Sequence, residues 1–292
     1  MIELNISTKN TTQGNETSSN EQIIALKRND IKNIELRRVY GKNIADLNSS
    51  EAVELRNLLD DNEICARSIG SPIGKVKLDD NFNAHLDLFK ALLQTTQILG
   101  SKMIRMFSFY PPENTSAEDC KELVFERIEA LLELSEAAGI KCYHENEKGI
   151  FGDTSKRCLD LLSAFNGRLG GIFDPANYIQ CGEKPSVIYD ELEKYTDYFH
   201  IKDALLETGR VVPPGEGDGA IAEILTKYSK SSKFSDTLLT VEPHLKAFVG
   251  CETLGDEKSF AKNYSYASND DAFDAAINAL KGILERIGAD YE

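Results

Sequence analysis

No stretch of this 292-residue chain approaches the ~18 consecutive apolar residues that a membrane-spanning helix needs, which argues against a membrane protein of that kind. Positive charge is scarce: 33 Lys and Arg stand against 48 Asp and Glu, a formal net charge of −15 at pH 7. That balance repels phosphate backbones and argues against nucleic acid as a general partner. The six cysteines, at positions 65, 120, 142, 158, 181 and 251, include no Cys-x-x-Cys pair. Their scatter reads as reduced thiols rather than a disulfide framework or a structural zinc site. Met1 to Asn20 lacks a basic start followed by an apolar run, so no secretory leader is visible and the cytoplasm is the expected compartment. Without export, Asn-x-Ser/Thr triplets such as Asn10-Thr11-Thr12 are only polar loop sequence. No Pro/Gly/Ser-rich linker separates two halves, and a single domain over residues 1–292 is expected.

What is present is ordinary globular material, 41% apolar and 28% charged, long enough to bury a large core. Eight short runs rich in Ile, Leu, Val or aromatics read as strands: Ile2–Ile6, Asn33–Arg38, Ile64–Ile69, Lys102–Phe107, Ile140–Glu145, Leu169–Asp174, Tyr198–Lys202 and Leu238–Glu242. Helical patterns lie between them. Ser116–Ala138 opens on a capping-type Ser, carries apolar residues at 124, 128, 131 and 134, and stops at Gly139. Ser268–Ile287 places Phe273, Ile277, Leu280, Leu284 and Ile287 on one stripe. Eight strands alternating with helices predict an α/β fold, a single (β/α)8 TIM barrel. A doubly wound open sheet is the rival fold, but no Gly-x-Gly-x-x-Gly or phosphate-loop motif follows an early strand. Thr8–Asn20, polar, reads as a βα loop at the barrel mouth or equally as a locally disordered flap, and Lys246–Ser268, long and mixed, as a second mouth loop or a crossing segment.

The active face of such a barrel is where strands end. The last four strands finish in Cys142-Tyr143-His144-Glu145-Asn146, Ile172-Phe173-Asp174-Pro175-Ala176-Asn177, Tyr198-Phe199-His200-Ile201-Lys202-Asp203 and Thr240-Val241-Glu242-Pro243-His244. They deliver Glu145, Asp174, His200 and Glu242 to one rim, 29, 26 and 42 residues apart, each gap compatible with one βα unit. Neighbouring strands sit ~4.8 Å apart, so four in a row form an arc that one ion could occupy. Three carboxylates and an imidazole suit Mn²⁺, Mg²⁺ or Co²⁺ better than a thiolate-seeking metal, with Zn²⁺ an alternative. Taken singly, each of these residues is more often a helix cap, a surface charge or a structural His. Four ligand types at equivalent positions of consecutive units are hard to obtain by accident.

The chain resembles the xylose isomerase-like TIM-barrel superfamily, in its sugar phosphate isomerase/epimerase branch. The resemblance rests on Ser71-Pro72-Ile73-Gly74-Lys75, His144-Glu145-Asn146, Phe173-Asp174-Pro175-Ala176-Asn177, His200-Ile201-Lys202-Asp203, Pro214-Gly215-Glu216-Gly217-Asp218 and Val241-Glu242-Pro243-His244, in the family's order. It implies one divalent metal, Mn²⁺ foremost, held by Glu145, Asp174, His200 and Glu242. It also implies a ketose or polyol as the small-molecule partner, with Glu145 and Glu242 as the acid and base on its two faces. Members of the family often form homo-oligomers, although no stripe here identifies an interface. Loss of water in place of reprotonation would make the same site an inosose dehydratase-like lyase. A barrel that binds sugar without turning it over is the other alternative.

Two departures bear on the substrate: relatives often carry His where Asn177 stands, and some carry His where Tyr198 stands. A sister family of endonuclease IV-type repair enzymes needs a His-rich three-zinc cluster, which four histidines and a charge of −15 oppose. Lys202 shares the barrel-facing side with His200 by strand alternation and is a candidate to bind a substrate hydroxyl or phosphate, with a plain strand-end charge as the equal alternative. Asn177, Arg105, His144 and His244 are the other candidate substrate-binding or orienting residues, against an internal salt bridge for Arg105 and a rim position without function for the two histidines; Phe107, Phe109 and Tyr110 are candidate pocket walls, although the core reading is favoured for aromatics. Gly215-Glu216-Gly217-Asp218-Gly219 reads as a loop whose acids cap the next helix. Net acidity at the rim favours a neutral sugar unless Lys202 or Arg105 supplies local positive charge.

Overall fold

The structure is a computed structural model that describes residues 2–7, 19–234, 237–242, 266 and 268–292. Eight parallel strands close into a barrel: β1 (Glu3–Ser7), β2 (Asn33–Leu36), β3 (Cys65–Gly70), β4 (Met103–Met106), β5 (Lys141–Glu145), β6 (Leu169–Phe173), β7 (Thr196–Ile201) and β8 (Leu238–Val241). They follow one another in order around the ring, and β8 returns to β1 with Glu3 opposite Leu238. All eight sequence-derived strands are present, with ends shifted by one or two residues. Arg38 leaves β2 for a small antiparallel hairpin, Arg38–Val39 with Lys42–Asn43.

The helices are α1 (Ser19–Arg28), α2 (Ser49–Asp61), α3 (Phe82–Ile98), α4 (Lys121–Ala137), α5 (Ser155–Ala164), α6 (Pro175–Gln180), α7 (Pro185–Leu192), α8 (Ile221–Tyr228) and α9 (Asn269–Ile287). Their starts follow the side-chain signals. Asn48 and Glu51 form a reciprocal capping box on α2, Asn81 caps α3, and Ser268 caps α9 through Asp271 N at 3.1 Å. Ser116 accepts from Asp119 N at 3.2 Å, opening a 3₁₀ turn that leads into α4. The Thr8–Asn20 and Lys246–Ser268 segments lie almost wholly outside the described residues.

Alternation along the strands separates two interiors. Outward-facing Ile34, Ile69, Ile104, Phe173 and Leu239 pack under helix residues such as Leu55, Phe89, Leu131 and Tyr189, forming the main core. Inside the barrel, Ile172, Tyr198 and Leu238 form a small separate cluster with Met103 and Tyr143. Above that cluster the interior turns polar: Asn5 donates to Ser68 Oγ at 3.3 Å and Thr240 Oγ1 at 3.0 Å. Charged groups come next, towards the strand ends.

The segment after β3 is pinned to the exit of β4 by a run of backbone bonds, including Phe107 N to Ile73 O at 2.8 Å and Phe109 N to Gly74 O at 2.7 Å. Gly74 has φ of +77°, its N–H donates to buried His85 Nε2 at 2.9 Å, and a Cβ there would collide with the Phe107 carbonyl. Gly74→Ala is therefore expected to destabilise the protein by about 2 kcal/mol or more. An unchanged urea midpoint would refute that account of the loop.

Candidate metal centre

Each residue of the expected quartet sits at or just past the end of its strand. Glu145 closes β5 and His200 lies one residue before the end of β7. Asp174 follows β6 directly and serves as N-cap of α6, accepting from Asn177 N through Oδ1 at 3.0 Å. Glu242 follows β8, with its N–H on Ile201 O at 3.2 Å. One ligand-type atom from each of the four lies within 4.8 Å of all the others, and all four residues are buried. Asp174 is thus a helix cap and a site residue at once, because a carboxylate has two oxygens and the cap uses one.

The quartet is embedded in charge. His200 Nδ1 lies 2.9 Å from Glu145 Oε1 and 3.6 Å from Glu242 Oε1, while Nε2 lies 3.2 Å from Glu35 Oε2. Arg105 Nη1 is 3.3 Å from Glu145 Oε2. Lys202 Nζ is 2.8 Å from Asp174 Oδ2 and 3.3 Å from Glu242 Oε2, and Arg37 pairs with Glu242 Oε1. Asn177 joins them, donating to Glu145 Oε1 at 3.4 Å and accepting from Lys202 at 3.0 Å.

Burial alone would lower the His200 pKa, but Glu145 and Glu35 outweigh it and push it up to about 10. Burial would raise Glu145, yet His200 and Arg105 hold it well below the ordinary carboxylate range. Asp174 goes the other way: burial, reinforced by Glu145 and Glu242 against Lys202, lifts it to about 6. Three carboxylates crowded in a dry site with one imidazole form a donor set that suits a hard or borderline dication. The rise at Asp174, set first by burial and added to by Glu145 and Glu242, is one that such an ion relieves.

The family described as xylose isomerase-like TIM barrel matches residues 25–254, well over half of the chain. This chain belongs to that family. Among solved structures, the xylose isomerase-like fold recurs in an IOLI protein with a bound zinc atom (TM-score 0.73, 16% identity, covering 98% of this chain and 99% of that one). It recurs in D-psicose 3-epimerase with D-tagatose from Clostridium cellulolyticum H10 (0.72, 13%, 99% and 100%). The probable 3-DHS dehydratase AsbF from Bacillus anthracis is similar as well (0.70, 16%, 96% and 98%). A comparison with curated protein sequences finds no match.

Within this xylose isomerase-like barrel, Lys202, Asn177 and Arg105 converge on the quartet. His144 does not: it is buried, its Nε2 lies 2.9 Å from Ser108 Oγ, and Gly152 packs against its ring. Its neighbour Glu145 faces the centre, and strand alternation turns the His to the other side. His244 lies outside the described residues. Phe107 faces the site beneath Arg105, whereas Phe109 is core, stacked edge-on against His85 and Phe82.

The glycine-rich loop corrects its reading as a helix cap. No side chain caps α8, whose N-cap is Ala220. Instead the loop wraps the Asp203 carboxylate, which accepts from Gly215 N at 2.8 Å, Gly217 N at 3.1 Å and Gly219 N at 2.8 Å. Spacing along the chain gave no hint that residues twelve to sixteen positions downstream would fold back on Asp203.

Glu35 and Arg37 are the residues that sequence reasoning missed. Glu35 is buried inside the barrel, opposite Ser68 by virtue of a register shift in the β2–β3 pairing, and accepts from Ser68 Oγ at 2.9 Å and Tyr198 OH at 3.4 Å. A Glu in the middle of an apolar strand pattern, Asn33-Ile34-Glu35-Leu36, was the available signal.

Burial holds His144 neutral, with its pKa lowered from the usual 6.5 to about 4. Between those values the unfolded chain binds a proton that the folded chain refuses, so stability is complete above the window and is lost as pH falls through it. In metal-depleted protein, His144→Gln should flatten the fall of Tm between these two pH values. A variant that tracks the parent through the window would contradict this.

Proposed function

We propose that this chain is a divalent-metal-dependent sugar isomerase or epimerase acting on a ketose or polyol. The observation that carries the reading is the convergence of Glu145, Asp174, His200 and Glu242 within 4.8 Å, buried, on four successive strands. A divalent ion held by these four would act as a Lewis acid on a bound carbonyl and acidify the neighbouring C–H. Mn²⁺ is the expected ion, with Mg²⁺, Co²⁺ and Zn²⁺ as alternatives.

Glu145 is held ionised by His200 and Arg105 and is the carboxylate poised to take a proton from carbon. Glu242, tied to Arg37 and Lys202, is the group that returns a proton from the other face. Return to the same carbon inverts it; return to the adjacent carbon interconverts ketose and aldose. Lys202 and Asn177, bonded to each other at 3.0 Å, offer donors for a substrate hydroxyl.

Metal analysis of the purified protein, followed by a ketose panel in deuterated water, tests the reading. Stoichiometric divalent ion and incorporation of solvent deuterium at the carbon next to the carbonyl are expected. Loss of water from the substrate would point to the lyase alternative. Absence of both metal and turnover after Mn²⁺ is supplied would leave only a binding barrel.

A further inference from the structure

The backbone ladder between β5 and β6 stops short of the candidate centre. Its last pair sets Glu145 opposite Ile172, two residues before Asp174. Beyond that point a side chain takes over. Asn146, directly after β5 and 1% exposed, donates from Nδ2 to the Asp174 carbonyl at 3.0 Å and accepts from the Asp174 N–H through Oδ1 at 3.0 Å. One carboxamide thus meets both backbone groups of a single residue, much as a neighbouring strand would. No other side chain of similar size offers a donor and an acceptor in one plane.

The bonds run on into a closed circuit. Asp174 Oδ1 accepts from Asn177 N at 3.0 Å, and Asn177 Nδ2 returns to the Asn146 carbonyl at 2.8 Å. All three residues are buried. The circuit ties the end of β5 to the end of β6 and to the first turn of α6. Two members of the quartet depend on it: Glu145 immediately precedes Asn146, and Asp174 is part of the circuit itself. With Oδ1 engaged by the cap, Oδ2 is the oxygen that Asp174 has left for an ion. Lys202 Nζ lies 2.8 Å from Oδ2 but outside hydrogen-bond geometry. The direction of Oδ2 therefore follows from the backbone that Asn146 holds and the N–H that engages Oδ1.

We infer that Asn146 is a positioning residue for the centre: its carboxamide fixes the Asp174 backbone, so that the carboxylates delivered by β5 and β6 keep the spacing one ion requires. This role rests on the metal-dependent reading above and extends it to a residue outside the quartet. A ligand set held in place binds its ion more tightly than one that must first be ordered, and the partners of the ligands do that holding. Leucine at 146 would fill the space and make neither bond. Aspartate would keep an acceptor for the Asp174 N–H but would turn an oxygen against the Asp174 carbonyl.

Mn²⁺ affinity of the full chain is read by competition with a chelator, and the visible absorption of Co²⁺-loaded protein reports the geometry of the ligands. Asn146→Leu is expected to weaken Mn²⁺ binding by about tenfold or more and to shift the position or intensity of the Co²⁺ bands. Leu131→Ala controls for plain loss of stability, since Leu131 belongs to the core outside the strands. It should lower Tm yet leave Mn²⁺ affinity within about twofold of the parent. Should Asn146→Leu not fold, Asn146→Asp decides. Its added negative charge alone would tighten a dication site, whereas a misplaced Asp174 loosens it, and weaker binding than in the parent is expected. Parent-like affinity and Co²⁺ bands in Asn146→Leu, at whatever Tm, overturn the inference, as does Asn146→Asp binding as tightly as the parent or tighter. A loss of affinity that Leu131→Ala matches also overturns it. Failure of the parent to take up Mn²⁺ or Co²⁺ overturns the metal-centre reading and this role together. Uptake by the parent with unchanged variants overturns this role alone.

Discussion

Replacing Glu145 or Glu242 by glutamine is expected to lower turnover by about 10²–10⁴-fold, the usual worth of a positioned acid or base. Glutamine keeps the shape and an oxygen donor but gives up the charge and the capacity to carry a proton. Both variants should fold, because two of the cations around them, Arg105 and Lys202, retain other carboxylates. Arg105 still feels Glu35, and Lys202 still has Asp174. Metal content measured beside kcat separates loss of proton transfer from loss of the ion. If both variants remain fully active on the true substrate, the two-carboxylate proposal is wrong.

Glu35→Gln should weaken metal binding by about 10–100-fold without touching any of the four proposed ligands. In the structure His200 presents Nδ1 to Glu145 and Glu242, while Nε2 faces the Glu35 carboxylate at 3.2 Å. A carboxylate behind a metal-binding imidazole fixes both its tautomer and its ring plane, and raises its basicity. Glutamine can still accept a hydrogen bond there, but without charge. Competition against a chelator of known affinity reads the change, and an affinity equal to that of the parent would show Glu35 to be merely structural. Preserved Tm in the variant keeps the two explanations apart.

The barrel and the quartet were legible along the chain because both obey short, regular rules. Strand and helix periods alternate eight times, and barrel chemistry gathers at strand ends, so Glu145, Asp174, His200 and Glu242 could be picked out by position. Lys202 followed from the two-residue period of β7. His144 shows the same rule missed: a neighbour of Glu145 along the strand points to the opposite face, and its ring ends on Ser108.

The residues that the chain order hid are those whose role depends on the closure of the barrel. Glu35 and His200 are 165 positions apart, and Arg37 and Glu242 are 205 apart. No local pattern relates them; they meet because β2, β7 and β8 all turn side chains into one narrow interior. Asp203 and its glycine loop meet for a related reason, since three backbone N–H groups converge on one buried carboxylate only once the loop has closed. Sequence alone determined the class of fold, the acidic character of the chain and the four side chains at the rim, because periodicity and strand-end placement are local properties. Only the tertiary structure decided which cations hold those carboxylates and which carboxylate stands behind His200. Charge pairing in a low-dielectric interior is set by distances of a few ångströms between strands that the chain order keeps far apart.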